Sequence, residues 1–217
     1  MTFYTDLGKS DNLVRFLKKD DKYCIIRFND SYEIISKSGF IYDEVSIIGK
    51  NVKCYHRTPL IKVKQNDLYG VIDSIKNKII IPIEYDDVQI TTHHFHVFYI
   101  CKKDDLYEFL DNEGVKMLDY TFTEFQFIGE FSESNNYLYM ITQQEEISPE
   151  EIINRRGIVE LTGKLIYPFT EGLEEIKRVK NNLLVLKFED HLELINSFGE
   201  VIDDDFEMID MYDFYKI

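Results

Sequence analysis

Tryptophan is absent from this chain of 217 residues, and cysteine (3), proline (4) and methionine (5) are scarce. Cys24, Cys54 and Cys101 are an odd number and far apart, which argues against a disulfide framework and for a reducing compartment. No apolar run approaches the ~20 residues that a membrane-spanning helix needs. The first residues, Met1-Thr2-Phe3-Tyr4, have no basic stretch leading into an apolar run, so no secretory signal and a cytoplasmic location are expected.

Positive charge is the other shortage. Lys+Arg number 25 against 40 Asp+Glu, a formal net charge of −15, and the bases are dispersed among acids. A nucleic acid or an anionic membrane surface is repelled by such a balance, whereas a basic protein is attracted. The motifs of the common enzyme classes are missing too: no glycine-rich phosphate cradle, no nucleophile elbow, no His-Glu-x-x-His. His93, His94 and His96 cluster without a Cys or carboxylate at ligand spacing, and Cys54 and His56 lack a placed third partner. The expectation is a non-enzyme with no cofactor and no metal.

What the chain does have is 15 Tyr, 16 Phe and a hydrophobic share of 44%, a composition that suits half-buried pleated surfaces. It also has internal repetition. The strand-like stretch Tyr69-Gly70-Val71-Ile72-Asp73 has counterparts beginning at Tyr32, Tyr107, Arg156 and Leu192. These starts lie roughly 37 residues apart, with one stretched step before Arg156. An acidic or amide pair precedes four of them: Asn29-Asp30, Asn66-Asp67, Asp104-Asp105 and Glu189-Asp190. Short polar side chains of this kind tolerate left-handed backbone, as a tight hairpin requires. Before each pair runs an alternating apolar segment such as residues 60–64. After each strand comes a second turn holding Gly39, Asn77, Gly114, Gly163 or Gly199, then a short apolar strand. An aromatic-plus-acid segment closes the unit: Tyr42-Asp-Glu-Val45, Tyr85-Asp-Asp-Val88, Phe122-Thr-Glu-Phe125 and Phe206-Glu-Met-Ile209.

The fold expected is all-β, with about five tandem antiparallel meanders over 23–50, 60–90, 96–130, 136–178 and 181–217, behind an N-terminal cap at 1–22. One meander cannot bury both faces of its sheet, so neighbours must stack, either as a propeller-like ring or as an open twisted array. The stretched fourth unit carries Ser148-Pro149-Glu150-Glu151, a capping-box pattern that predicts a helical turn over 149–154.

The Tyr-Gly-Val-Ile-Asp strand, the run into Ile81-Pro82 and the Tyr85-Asp-Asp-Val88 segment together resemble the bacterial WG repeat, with Tyr69-Gly70 at the family's Trp-Gly position. The resemblance is good over 60–90, weaker over 97–128 and 183–209, and degenerate elsewhere. It implies a β-rich interaction module and carries no shared catalytic residues.

The candidate binding residues are the recurring acids at turns and loops: Asp86, Asp87, Asp104, Asp105, Glu145, Glu146, Glu150, Glu151, Asp203, Asp204 and Asp205. Displayed on one side of an array with aromatic anchors, they would face a basic protein partner. The role expected is an immunity or inhibitor protein against a cationic toxin. The alternatives are a structural or accessory repeat protein, or a ligand-binding β-ring.

Overall fold

The computed structural model describes residues 2–5, 13–28, 34–37, 39, 41–48, 60–73, 78–93, 96–131, 136–148, 151–180 and 182–204. Among these residues every regular element is a strand, no helix occurs, and every strand pairing is antiparallel. The first sheet in chain order is built from β1 (Thr2–Thr5), β2 (Leu13–Lys19), β3 (Lys22–Phe28) and β4 (Ile34–Lys37). The second holds β5 (Glu44–Ile48), β6 (Leu60–Gln65), β7 (Leu68–Asp73) and β8 (Lys78–Tyr85). The third is shorter: β9 (Asp87–His93), β10 (His96–Lys103) and β11 (Leu106–Leu110). The fourth has β12 (Glu124–Phe131), β13 (Asn136–Ser148), β14 (Glu151–Glu160) and β15 (Leu165–Glu171). The fifth has β16 (Glu175–Lys180), β17 (Leu183–Lys187), β18 (Leu192–Asn196) and β19 (Val201–Asp203). The chain divides into two compact units, Met1–Asp105 with Phe109–Lys116, and Leu106–Glu108 with Met117–Ile217.

The strands follow from their side-chain period. In β6, Ile61 and Val63 are fully buried while Lys62 and Lys64 between them keep partial exposure. In β7, Val71, Ile72 and Asp73 are all buried, so both faces of that strand are covered. Three of the connecting hairpins turn on a left-handed pair: Asp20 and Asp21 (φ 48° and 61°), Asn66 and Asp67 (52° and 65°), Asp104 and Asp105 (52° and 64°). Two positions after each pair stands a tyrosine that bridges the aromatic ending its meander: Tyr23 with Tyr42, Tyr69 with Tyr85, Tyr107 with Phe122.

This geometry corrects the first unit. Tyr23 holds the position that even spacing assigns to Tyr32, because Asp20-Asp21 is the turn equivalent to Asn66-Asp67 and the step from Tyr23 to Tyr69 is the longer one. Tyr32, the pair Asn29-Asp30, Asn77 and residues 206–209 lie outside the described residues. The segment 1–22, read as a cap, supplies β1 and β2 to the first sheet. A second correction concerns 149–154. Residues 151–154 are the start of β14, and the β13–β14 ladder runs from Leu138 opposite Glu160 to Ser148 opposite Glu151. The local capping signal loses to cross-strand pairing, in which β-branched Ile152 and Ile153 fit better than in a helix; Pro149 and Glu150 lie outside the described residues.

Within each unit, successive sheets are stitched in a recurring way. Tyr42 exchanges backbone hydrogen bonds with Tyr23, and the next N–H, of Asp43, donates to Lys64 O at 2.7 Å. The same forward bond runs from Asp86 to Lys102, Thr123 to Thr142 and Glu174 to Lys187, each at 2.8 Å. Apolar clusters fill the space between sheets. Ile25 and Tyr42 pack with Ile61, Val63 and Ile72; Val71, Ile81 and Tyr85 with Val97, Tyr99 and Cys101; Leu138, Ile158 and Tyr167 with Leu184, Leu186 and Ile195. Each such side chain contributes about 1.5–3 kcal/mol by leaving water. Glycine completes the lock. Gly163 and Gly199 have φ of 97° and 89°, and a Cβ there would lie 2.1 and 2.0 Å from the carbonyl oxygens of Met117 and Ile166. A left-handed backbone pressed onto a neighbouring carbonyl leaves no other residue an option.

Candidate protein-binding surface

The acids expected to form a binding face divide into two kinds. Around the second and third sheets the carboxylates of Asp86, Asp87 and Asp105 are engaged within the chain. Asp86 Oδ2 accepts from the Asp104 N–H at 2.9 Å, so this carboxylate holds the next hairpin turn. Asp43 does the same for Asn66 at 2.8 Å and also takes a hydrogen bond from Lys22. The Lys22 ammonium and the Asn66 amide hold the Asp43 carboxyl below the usual carboxylate range. Asp87 accepts from Lys62 Nζ and from the Val88 N–H, both at 2.8 Å. Asp105 pairs with Lys102 at 2.7 Å, which lowers its pKa. Lys62 also lies 4.4 Å from the centre of the Tyr69 ring and donates to Val88 O, so the space over that ring is closed by the chain's own cation.

The acids of the fourth sheet are different. β12 pairs with β13 only as far as Glu124 opposite Thr142, and β15 with β14 only as far as Arg155 opposite Glu171. Beyond those points β13 and β14 continue, among the described residues, as a two-stranded ribbon, Gln144 opposite Asn154 through Ser148 opposite Glu151. Glu145 pairs with Arg155 at 3.0 Å. Glu146 and Glu151 are exposed and make no ion pair among the described residues. Ile147 and Ile152 expose 51% and 62% of their surface on the same ribbon. Among the described residues, both outer edges therefore carry no third strand, and they lie beside apolar and acidic side chains. Asp203 sits in β19 opposite Leu194, and Asp204 is exposed just after it; Glu150 and Asp205 lie outside the described residues.

Two grooves open on this second unit, each about 460 Å³. One lies at the base of the ribbon, against Leu106, Phe122, Gln143, Arg155 and Phe169. The other is lined by Tyr107, Glu124, Phe125, Met140, Thr142 and Arg156. In the latter, Tyr107 and Phe125 meet edge to face at 5.1 Å. Arg156 stands where Tyr69 stands in the second sheet, opposite Thr142 as Tyr69 is opposite Lys64. Its guanidinium donates to Leu173 O at 3.0 Å and Glu174 O at 2.9 Å. Sequence reasoning passed over this groove. The signal was a break in a series, since the strand positions of Lys64, Lys102 and Lys187 are filled in the fourth sheet by Thr142.

The other candidates of the sequence are placed as follows. His93 and His96 are register partners closing the β9–β10 hairpin, while His94, Cys54 and His56 lie outside the described residues. Cys24 and Cys101 are buried free thiols. Among the described residues, no three of His, Cys, Asp and Glu converge as a metal-ligand group, and no helix is long and apolar enough to cross a membrane.

No protein-family profile matches this chain, and no curated protein is similar to it in sequence. Among solved structures it is similar to a eukaryotic initiation factor, with a TM-score of 0.44 and 9% identity over 94% of this chain and 54% of that one. It is also similar to Kluyveromyces lactis Hsv2p, with a TM-score of 0.35 and 12% identity over 94% of this chain and 62% of that one. The chain thus spans little more than half the length of these structures. Likenesses at this level carry no functional argument.

Proposed function

We propose that this chain is a non-enzymatic protein-binding module, a tandem array of WG-like meanders that docks a basic protein. Its role is that of an immunity or inhibitor protein holding a cationic toxin. The observation that carries this reading is the β13–β14 ribbon. A strand pair that runs past its sheet, bares Ile147 and Ile152 and leaves Glu146 and Glu151 with no ion pair among the described residues has the composition of an interface, with apolar anchors inside an acidic rim. The net charge of −15 supports it by speeding encounter with a cation. The buried free thiols Cys24 and Cys101 support a reducing, cytoplasmic setting. The meanders stand either as a closed ring or as an open twisted array, which small-angle scattering separates.

The test is capture of a partner from the source cell by tagged full-length chain, read by mass spectrometry across a salt series. The reading expects a basic protein whose retention falls steeply between about 0.05 and 0.5 M salt. Capture of nothing, or of an acidic protein indifferent to salt, contradicts it and favours an accessory repeat protein whose charge serves solubility.

A further inference from the structure

We infer that the outer edge of β13, at Gln144 and Glu146, takes an extended segment of the partner as an added antiparallel strand, one that alternates basic and apolar residues. This rests on the protein-binding reading and deepens it. The direction of the backbone comes first. Thr142 O accepts the Thr123 N–H at 2.8 Å, so the N–H and C=O of Thr142 point towards β12. A strand repeats every two residues, and Gln144 and Glu146 therefore point theirs the same way. Gln143 and Glu145 between them point inwards, opposite Arg155 and Ile153 of β14. The chain that precedes β12 does not follow this edge outwards. Phe122 turns aside and exchanges backbone hydrogen bonds with Tyr107 at 2.7 and 3.1 Å.

Side chains of an added strand fall alternately on the two faces of the ribbon. Those opposite Gln144 and Glu146 share a face with Glu146, Asn154 and the exposed Ile152. The one between them, opposite Glu145, shares the other face with Gln143 and Arg155. That face borders the groove of about 460 Å³ at the base of the ribbon, where Leu106, 40% exposed, stands with Phe122 and Phe169. An apolar side chain suits this position. Charge then selects the occupant of the first face. Glu145 is matched by Arg155 at 3.0 Å, whereas Glu146 is exposed with no ion pair among the described residues. A lysine opposite Gln144 or Glu146 meets that carboxylate directly or on the diagonal. A second copy of the chain on the same edge would set Glu145 or Glu146 against its own counterpart, with a net charge of −15 on each side. The edge is thus closed to its own kind and open to a cationic strand.

The experiment is an NMR titration of the full chain with the capped peptide acetyl-Lys-Leu-Lys-Leu-Lys-amide, followed at the backbone amides. Saturable shifts at Gln144 and Glu146 are expected. N-methylation of the lysine nitrogens removes the donors that an added strand directs at β13, and should weaken binding at least about tenfold. N-methylation of the leucine nitrogens, which point away from β13, should change it less than about twofold. Serine in place of leucine empties the groove and should cost at least about fivefold. Glu146→Gln should weaken the probe about twofold to fivefold. Absence of saturable binding, equal loss from the two N-methylated peptides, or equal binding of acetyl-Glu-Leu-Glu-Leu-Glu-amide overturns the inference. So does a dimer of the free chain held through the same amides. Failure here is distinct from failure of the module reading. A captured partner that excess probe does not displace refutes strand addition alone, whereas a wild type that binds the probe and captures no partner refutes the module.

Discussion

The second and fourth sheets share a strand plan and differ in what they do with their charges. In the second, Lys62 and Lys64 lie over Tyr69 and reach Asp87, Glu44 and Asp67, so rings and carboxylates are satisfied inside the chain. In the fourth, Met140 and Thr142 occupy those places, Glu124 has no ion pair among the described residues, and β13 and β14 run on past their neighbours. A repeat that pairs its own charges has none left for a ligand, whereas one that leaves them at an exposed edge keeps them in contact with water.

The sharpest way to break the comparison is at a feature both sheets share, a left-handed glycine pressed onto a carbonyl of the last strand. Gly114→Ala against Ile80 O in the second sheet and Gly199→Ala against Ile166 O in the fourth should each cost at least ~2 kcal/mol, read as a lowered urea midpoint. Ile61→Ala, in the closed sheet, should cost about 2–5 kcal/mol, while Ile152→Ser on the ribbon should stay within ~0.5 kcal/mol. Equal costs would mean that the ribbon is part of the core. Asp86→Ala should lose about 0.5–1.5 kcal/mol through the Asp104 turn, and Glu146→Gln nothing measurable.

Much of this was legible in the sequence, and for a physical reason. Alternation along 60–64 and the Asn66-Asp67 and Asp104-Asp105 pairs state strand period and turn chemistry within a few residues, where local sterics decide. What was not legible depended on pairing at a distance. Tyr32 satisfies the even spacing, whereas Tyr23 is marked by the match of Lys19-Asp20-Asp21-Lys22-Tyr23 to Lys103-Asp104-Asp105-Leu106-Tyr107, and the left-handed turn at Asp20-Asp21 decides for Tyr23. The helical turn at 149–154 followed a sound capping rule that the partner strand overrode. The acids form one class in the sequence, although geometry separates Asp86, bound to a turn, from Glu146, which makes no ion pair among the described residues. The Glu124 groove was hidden because Tyr107, Met140 and Arg156 meet there only on folding.

Acid sharpens the comparison next. Lys22 and the Asn66 amide depress the Asp43 pKa, so its contribution is present above the unfolded value of about 3.9 and is lost as pH falls through the folded value. Stability should therefore drop below about pH 4, and Asp43→Asn should flatten that limb in thermal melts. The smallest effect concerns His191, which stacks on Phe188 at 4.4 Å and has its pKa raised by the Asp190 carboxylate and then by Glu193. Its contribution is present below the unfolded value of about 6.5 and fades as pH rises through the folded one. His191→Gln should remove a slight stability gain seen on moving from pH 8 to pH 6.

Hydrogen–deuterium exchange of the full chain, with and without a hexalysine peptide, compares the two sheets most directly. Slowed exchange confined to 123–126 and 140–156, with 60–73 and the turn at 104–105 unchanged, is the predicted result. Protection spread evenly over all the acidic turns, or centred on Asp86 and Asp104, would contradict the distinction between a closed scaffold and an open binding sheet.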